Sequence, residues 1–178
     1  ENARMKEFIL GGARSGKSRL AEQHALASGR AVTYVATATP ADEEMRARIA
    51  EHRRRRPPAW TLVEEPLALA RVLREQAAAD RCLLVDCLTL WLTNLLCASD
   101  ASVFATERRA LVELLPQLPG DIILVSNETG LGIVPLGALS RRFCDEAGWL
   151  HQDIARLSDR VILTVAGLPH LLKGKTET

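Results

Sequence analysis

The sequence predicts an α/β fold with a mostly parallel sheet of five or six strands and helices on both faces. Three observations predict it. The stretch Gly11 to Ser18 reads G-x-x-x-x-G-K-S and lies between the apolar run Phe8-Ile9-Leu10 and a helix-compatible segment, Lys17 to Ala27. A second strand-forming run, Ala31 to Ala36, follows, so strand, helix and strand fall within about thirty residues, the length of a parallel crossover unit. Further on, the near-continuous apolar run Cys82-Leu83-Leu84-Val85 ends in Asp86, as expected of a central strand covered on both faces. Together they indicate a P-loop nucleotide-binding fold, three-layered and closest to RecA-like architecture, with residues 1–178 forming a single domain.

Composition is compatible with that fold and excludes several classes. With 178 residues, 47% of them hydrophobic and 25% charged, the chain can bury a substantial core. A net charge of +1 disfavours a general nucleic-acid-binding surface. Cys82, Cys87, Cys97 and Cys144 show neither C-x-x-C nor zinc spacing, and the first three lie in apolar runs that read as core. No apolar run reaches the roughly 18 residues of a membrane span, and the start lacks a signal-peptide pattern, which points to the cytoplasm.

Taken in order, residues Glu1 to Lys6 are polar and read as a frayed start. The strand Glu7 to Leu10 leads into the phosphate loop, and the helix after it stops near Gly29. Thr39-Pro40-Ala41-Asp42 reads as a helix start, with Thr39 as N-cap and Pro40 at the first helical position. That helix runs to about Arg55, with Met45, Ile49 and His52 on one face, and Pro57-Pro58 ends it. Trp60 to Val63 predicts a short strand, and Leu67, Ala70, Val72, Leu73 and Ala77 have helical spacing. Leu88 to Leu96 and Val103 to Leu115 read as helices. Asp121 to Val125 is another buried strand, Leu139 to Leu157 a long helix bent near Gly148, and Arg160 to Val165 the last strand. Residues 167–178 read as a polar tail.

The phosphate loop carries the first chemistry. Gly11 and Gly16 permit close backbone approach, and Gly12, Ala13, Arg14 and Ser15 complete the cradle. Lys17 brings a compact charge to the outer phosphates, and the Ser18 hydroxyl suits Mg²⁺. The helix that begins at Lys17 presents free N–H groups and a positive dipole end to the same anions. Asp86, at the end of its strand, is placed to meet Mg²⁺ beside the loop; otherwise it caps the next helix. Asn127 and Glu128 open a glycine-bearing loop at another strand's carboxyl end, where ligands of parallel sheets collect, though turn chemistry explains them equally. His52 on an apolar helix face reads alone as a packed residue. The run Arg53, Arg54, Arg55 and Arg56 after it suits phosphate oxygens, or else a solvated helix end. His24 and His151 read as helix-surface residues.

Four segments, GGARSGKS with the RLAE after it, EMRARIAEHRRRRPPAW, LLVDCLTLWLTNLL and SNETGLGIVP, together resemble the bifunctional adenosylcobinamide kinase and adenosylcobinamide-phosphate guanylyltransferase family of cobalamin biosynthesis. The resemblance runs from about Glu7 to Lys173. It implies that adenosylcobinamide is phosphorylated with ATP or GTP, and that GMP is then passed from GTP to adenosylcobinamide phosphate through a guanylylated histidine. By its place in R-I-x-x-H-R, that histidine is His52. The resemblance also implies nucleotide contacts from Ala36, Thr37, Ala38, Glu64 and Asp86. A carboxylate such as Glu64 can accept hydrogen bonds from the N1 and N2 edge of guanine, and that role is expected from its chemistry rather than from the resemblance. It further implies a homotrimer in which the His52 helix can complete its site against a neighbour. The arginine run is richer than nucleotide contacts need, and His170 has no evident role. Three other readings compete. They are a plain small-molecule kinase with a structural His52, a nucleic-acid-stimulated ATPase, and a nucleotide-dependent binding module without transferase activity.

Overall fold

The structure, a computed structural model, describes residues 4–39 and 43–175, apart from the side chain of residue 48. Its first half runs β1 (Lys6–Gly11), α1 (Lys17–Ala27), β2 (Ala31–Ala36), α2 (Glu43–Arg55), β3 (Thr61–Glu64), α3 (Leu69–Gln76) and β4 (Arg81–Asp86). The second half runs α4 (Leu88–Leu96), α5 (Ser102–Leu114), β5 (Asp121–Asn127), α6 (Ala138–Leu157), β6 (Arg160–Val165) and β7 (Leu168–Lys173). The seven strands form one sheet in the order β3-β2-β4-β5-β1-β6-β7, parallel throughout except for the antiparallel β6–β7 pair.

Strand alternation builds the three layers. Phe8 and Leu10 of β1, Leu83 and Val85 of β4, and Ile122 and Leu124 of β5 point to a face covered by α3, α4, α5 and α6. Ile9, Cys82, Leu84, Ile123 and Val125 point the other way, onto Ala21 and Ala25 of α1. Helix α2 belongs to neither cluster, and none of its described side chains is buried.

Several sequence expectations are corrected. The sheet has seven strands because residues 168–173, read as part of a polar tail, turn back on β6. The turn is Ala166-Gly167, both with positive φ (52° and 77°), the two-residue geometry that suits a tight hairpin. Lys6 belongs to β1 rather than to a frayed start, because its buried ammonium donates to the carbonyls of Leu118 (2.8 Å) and Gly120 (3.1 Å). The third strand begins at Thr61, one residue after Trp60. Helix α6 passes through Gly148 unbroken, since its backbone ladder needs no side chain and buried Ala147, Leu150 and Ile154 offset glycine's low propensity.

Cys97 is exposed, because it lies just past the end of α4, whereas Cys82 and Cys87 are buried as expected. Burial pushes their thiols up to about 12 and about 11, so both stay protonated. His24 is not a free surface residue, since its Nδ1 lies 2.6 Å from Oε1 of buried Glu7, which also pairs with Arg160. His151 is buried against Phe8 and bonded through Nε2 to Ser126 Oγ at 2.8 Å. Of the expected helix start, Pro40 to Asp42 lie outside the described residues, while the Thr39 hydroxyl, expected as the N-cap, donates to Asn94 Oδ1 at 3.3 Å and the described helix begins at Glu43.

Trp91 is fully buried, and its indole N–H donates to Leu67 O at 2.8 Å, tying α4 to the segment before α3. Trp91→Ala removes both the packing and the bond. It is expected to cost about 3–5 kcal/mol in urea unfolding.

Candidate functional site

Parallel pairing sets the site. In register, Gly11 lies opposite Asn127 on β5, and Val125 opposite Asp86 on β4, so the phosphate loop, Asn127 and Asp86 emerge at one sheet edge. Strand spacing puts the ends of β1 and β4 about 10 Å apart, with β5 between them.

The loop after β1 is a cradle. A Cβ at Gly11 would collide with Ser15 Oγ and lie 2.8 Å from Thr164 O, and Gly16 adopts φ +91° beside Gly167. The hairpin turn backs the loop, with Gly167 N donating to Ser15 O at 2.9 Å. Lys17 Nζ donates to Gly12 O at 3.0 Å. Burial lowers the Lys17 pKa, while Asp86 and Cys87 oppose that shift. Ser15 Oγ is buried without a hydrogen-bond partner, and α1 carries no acidic side chain in its first turn. A half-desolvated ammonium, an unspent hydroxyl and open helix N–H groups fit nucleotide phosphates.

The loop floors a cleft of ≈ 770 Å³. Ala13, Arg14, Ser15, Gly16, Lys17 and Ser18 line one side, with Ala36 and Ala38 after β2 and Asp86 at the end of β4. Met45, Ile49 and His52 of α2 line it on the single helix face the spacing predicted, joined by Arg55 and Arg56. Asn127 and Glu128 line it too, the latter donating its N–H to Gly11 O at 2.9 Å. Asn127 also spends its amide on Thr89 Oγ1 (2.9 Å), stitching β5 to α4.

Other expected residues are not on its wall. Gly11 and Gly12 shape the loop from behind. Thr37 is fully buried, and its hydroxyl donates to Cys87 O (2.7 Å) while accepting from Cys87 N (3.0 Å). Glu64, exposed at the end of β3, pairs with Arg53 outside the cleft, and Arg54 is exposed as well. His170 sits exposed on β7.

His52 is the only histidine on the cleft wall among the described residues. Burial lowers its pKa, Arg55 and Arg56 lower it further, and Asp86 and Glu51 oppose them. Arg55 Nη2 lies 3.2 Å from His52 Nδ1. A guanidinium can only donate, so Nδ1 carries the lone pair and Nε2 the proton. The arrangement is that of a neutral imidazole beside a phosphate cradle, which can attack phosphorus.

Sequence reasoning missed two residues here. Glu22 of α1 pairs with Arg55 at 3.7 Å, too long for a hydrogen bond, and its buried Oε1 has no hydrogen-bond partner. Burial raises its pKa. Tyr34 of β2, counted only as a strand former, lies under Arg56 with its ring centroid 3.8 Å from the guanidinium carbon. The arginine surplus therefore has partners: Arg53 meets Glu64, Arg55 meets Glu22 and His52, and Arg56 meets Tyr34.

Fold and site together define a P-loop nucleotide-binding enzyme. The family is narrower: the model of CobU, cobinamide kinase / cobinamide phosphate guanyltransferase, matches residues 7–172, and the chain belongs to that family. It is 67% identical over 171 residues to the bifunctional adenosylcobalamin biosynthesis protein CobP of Pseudomonas aeruginosa, covering 96% of this chain and 99% of that protein. It is 37% identical to CobU of Salmonella typhimurium, covering 92% of this chain and 97% of that one. Among solved structures, the flagellar accessory protein FlaH of Methanocaldococcus jannaschii superposes with TM-score 0.54 at 16% identity. That match covers 96% of this chain and 79% of FlaH, and shows the fold alone.

Lys17→Ala leaves the loop backbone but removes its charge. It is expected to weaken nucleotide binding at least about tenfold in a GTP titration, the range of a lost charge-assisted hydrogen bond. Unchanged affinity would remove Lys17 from the site.

Proposed function

We propose that this chain phosphorylates the aminopropanol hydroxyl of adenosylcobinamide with ATP or GTP, then transfers GMP from GTP to the new phosphate through His52. The observation that carries the second half is a neutral histidine, its lone pair on Nδ1, lining the same cleft as the phosphate loop. Family membership supports the pairing of the two reactions.

In the kinase step the phosphate loop and Lys17 hold the triphosphate while the acceptor hydroxyl attacks the γ-phosphorus. Glu128 lies beside the loop and lines the cleft, so it can take the hydroxyl proton. Ser18 and Asp86 offer a hydroxyl and a carboxylate on the same wall, an oxygen donor set that fits Mg²⁺. When bound, Mg²⁺ would offset charge on the phosphate oxygens.

In the guanylyl step Arg55 leaves Nδ1 for a phosphate oxygen, freeing the lone pair. The N–P bond forms as the bond to pyrophosphate breaks, and the remaining ring N–H shares the positive charge. A phosphate oxygen of adenosylcobinamide phosphate then attacks that phosphorus. The N–P bond breaks, neutral His52 is restored, and adenosyl-GDP-cobinamide leaves. Glu64 is assigned to the guanine edge, which requires Arg53 to release it, and Ala36, Thr37 and Ala38 to the backbone path of the nucleotide. Exposed Leu131, Ile133, Val134, Leu136 and Trp149 support self-association, with a homotrimer as the expected assembly.

Two measurements test this reading. His52→Ala is expected to reduce GMP transfer at least about a thousandfold, as for loss of a covalent nucleophile, while phosphorylation of adenosylcobinamide continues. Near-normal GMP transfer would refute the role of His52. The attacking imidazole must be neutral and its pKa is lowered, so the rate of enzyme guanylylation should rise with pH through a midpoint below the ordinary 6.5 and then level off. A midpoint above that value contradicts the environment described for His52.

A further inference from the structure

Helix α2 carries His52, yet no described side chain along it is buried. What fixes the histidine must therefore act at the helix end. Three contacts run there as a chain, from Asp86 through Tyr34 and Arg56 to His52. Tyr34, only 4% exposed, donates its hydroxyl to Asp86 Oδ2 at 2.8 Å. Its ring lies under the Arg56 guanidinium, 3.8 Å from the guanidinium carbon to the centroid. Arg56 in turn donates through Nε to the backbone carbonyl of His52 at 2.9 Å.

We propose that Tyr34 is a positioning residue for both half-reactions, its hydroxyl orienting the Asp86 carboxylate and its ring seating Arg56 so that the His52 turn is held over the phosphate loop. The inference rests on the role given to His52 above. It explains why position 34 inside β2, just before Val35, is an aromatic with a hydroxyl rather than another β-branched strand former. A leucine would fill the core equally well, but it offers neither a π face nor a donor. It also gives Arg56 a task distinct from phosphate binding. The stacked guanidinium is flat, held on one face by the ring and at Nε by a carbonyl, a geometry that lysine cannot reproduce. The two halves of the proposal separate chemically, because phenylalanine keeps the ring and loses the hydroxyl.

The test compares Tyr34→Phe and Tyr34→Leu with wild type, using α-phosphate-labelled GTP and Mg²⁺ and reading the single-turnover rate of covalent labelling. Tyr34→Phe should raise the Mg²⁺ needed for half-maximal phosphorylation of adenosylcobinamide, followed separately with γ-phosphate-labelled GTP, by about threefold or more, while the covalent labelling rate at saturating Mg²⁺ stays within about twofold. Tyr34→Leu should lower the maximal labelling rate at least about tenfold, with the GTP concentration for half-saturation within about threefold. A leucine variant that labels as fast as wild type, or a phenylalanine variant that falls as far as leucine, overturns the role of the ring. A phenylalanine variant with an unchanged Mg²⁺ requirement overturns the role of the hydroxyl. Arg56→Lys lies outside the sheet and should reproduce the labelling loss, which decides the matter if Tyr34→Leu folds poorly. Amide hydrogen exchange over residues 49–56 is independent of labelling and should quicken at least about tenfold in Tyr34→Leu. Unchanged exchange contradicts the seating. If wild type itself takes no label, the assignment of His52 fails, and exchange still decides whether Tyr34 holds the helix end.

Discussion

The parallel pairing of β4, β5 and β1 is the constraint on which the rest depends. Because the three strands run the same way in fixed register, Asp86, Asn127 and Gly11 arrive at one edge of the sheet. Chain reversal must then occur there, and the turn between β1 and α1 becomes the phosphate cradle. The core enforces that register. A slip of one residue would exchange the side chains that face α1 with those that face α3 to α6. At the far side of β1, Gly167 of the β6–β7 turn closes against Ser15 and Gly16, so an antiparallel hairpin added to a parallel sheet supports the loop from behind.

Against this rigid edge stands a helix anchored differently. Helix α2 contributes little to either hydrophobic cluster, and polar contacts at its carboxyl end hold it: Arg55 to Glu22, Arg56 to Tyr34, and Arg53 to Glu64. These contacts are partly exposed, so each is weaker than core packing. Such an attachment suits the proposed reaction, in which the arginines of this helix end would exchange protein partners for phosphate oxygens. The same guanidinium that covers the His52 lone pair can move to a phosphate, which would uncover the nucleophile as the nucleotide arrives.

Much of this was legible in the sequence because it depends on local pattern. Strand, phosphate loop and helix follow from glycine spacing and apolar runs, and Met45, Ile49 and His52 share a face because helical periodicity demands it. What escaped depends on contacts distant in sequence. β7 was hidden because its residues are exposed on an edge strand, although Ala166-Gly167 between two apolar runs was a readable turn signal. His151 escaped because nothing local shows that Ser126, 25 positions earlier, lies across from it. Tyr34 and Glu22 escaped for the same reason, since each looks like an ordinary strand or helix residue until α2 folds over it. The arginine run was readable as a cluster, but its division among three different partners was not.

The central claim is that one cleft brings a phosphate cradle and a nucleophilic histidine together. Its most direct test is peptide mapping by mass spectrometry after brief incubation with GTP and Mg²⁺ in the absence of corrinoid. The account predicts one GMP per chain, acid-labile as a phosphoramidate is, on the peptide that contains His52. No adduct, or an adduct on another residue with His52 unmodified, would contradict it.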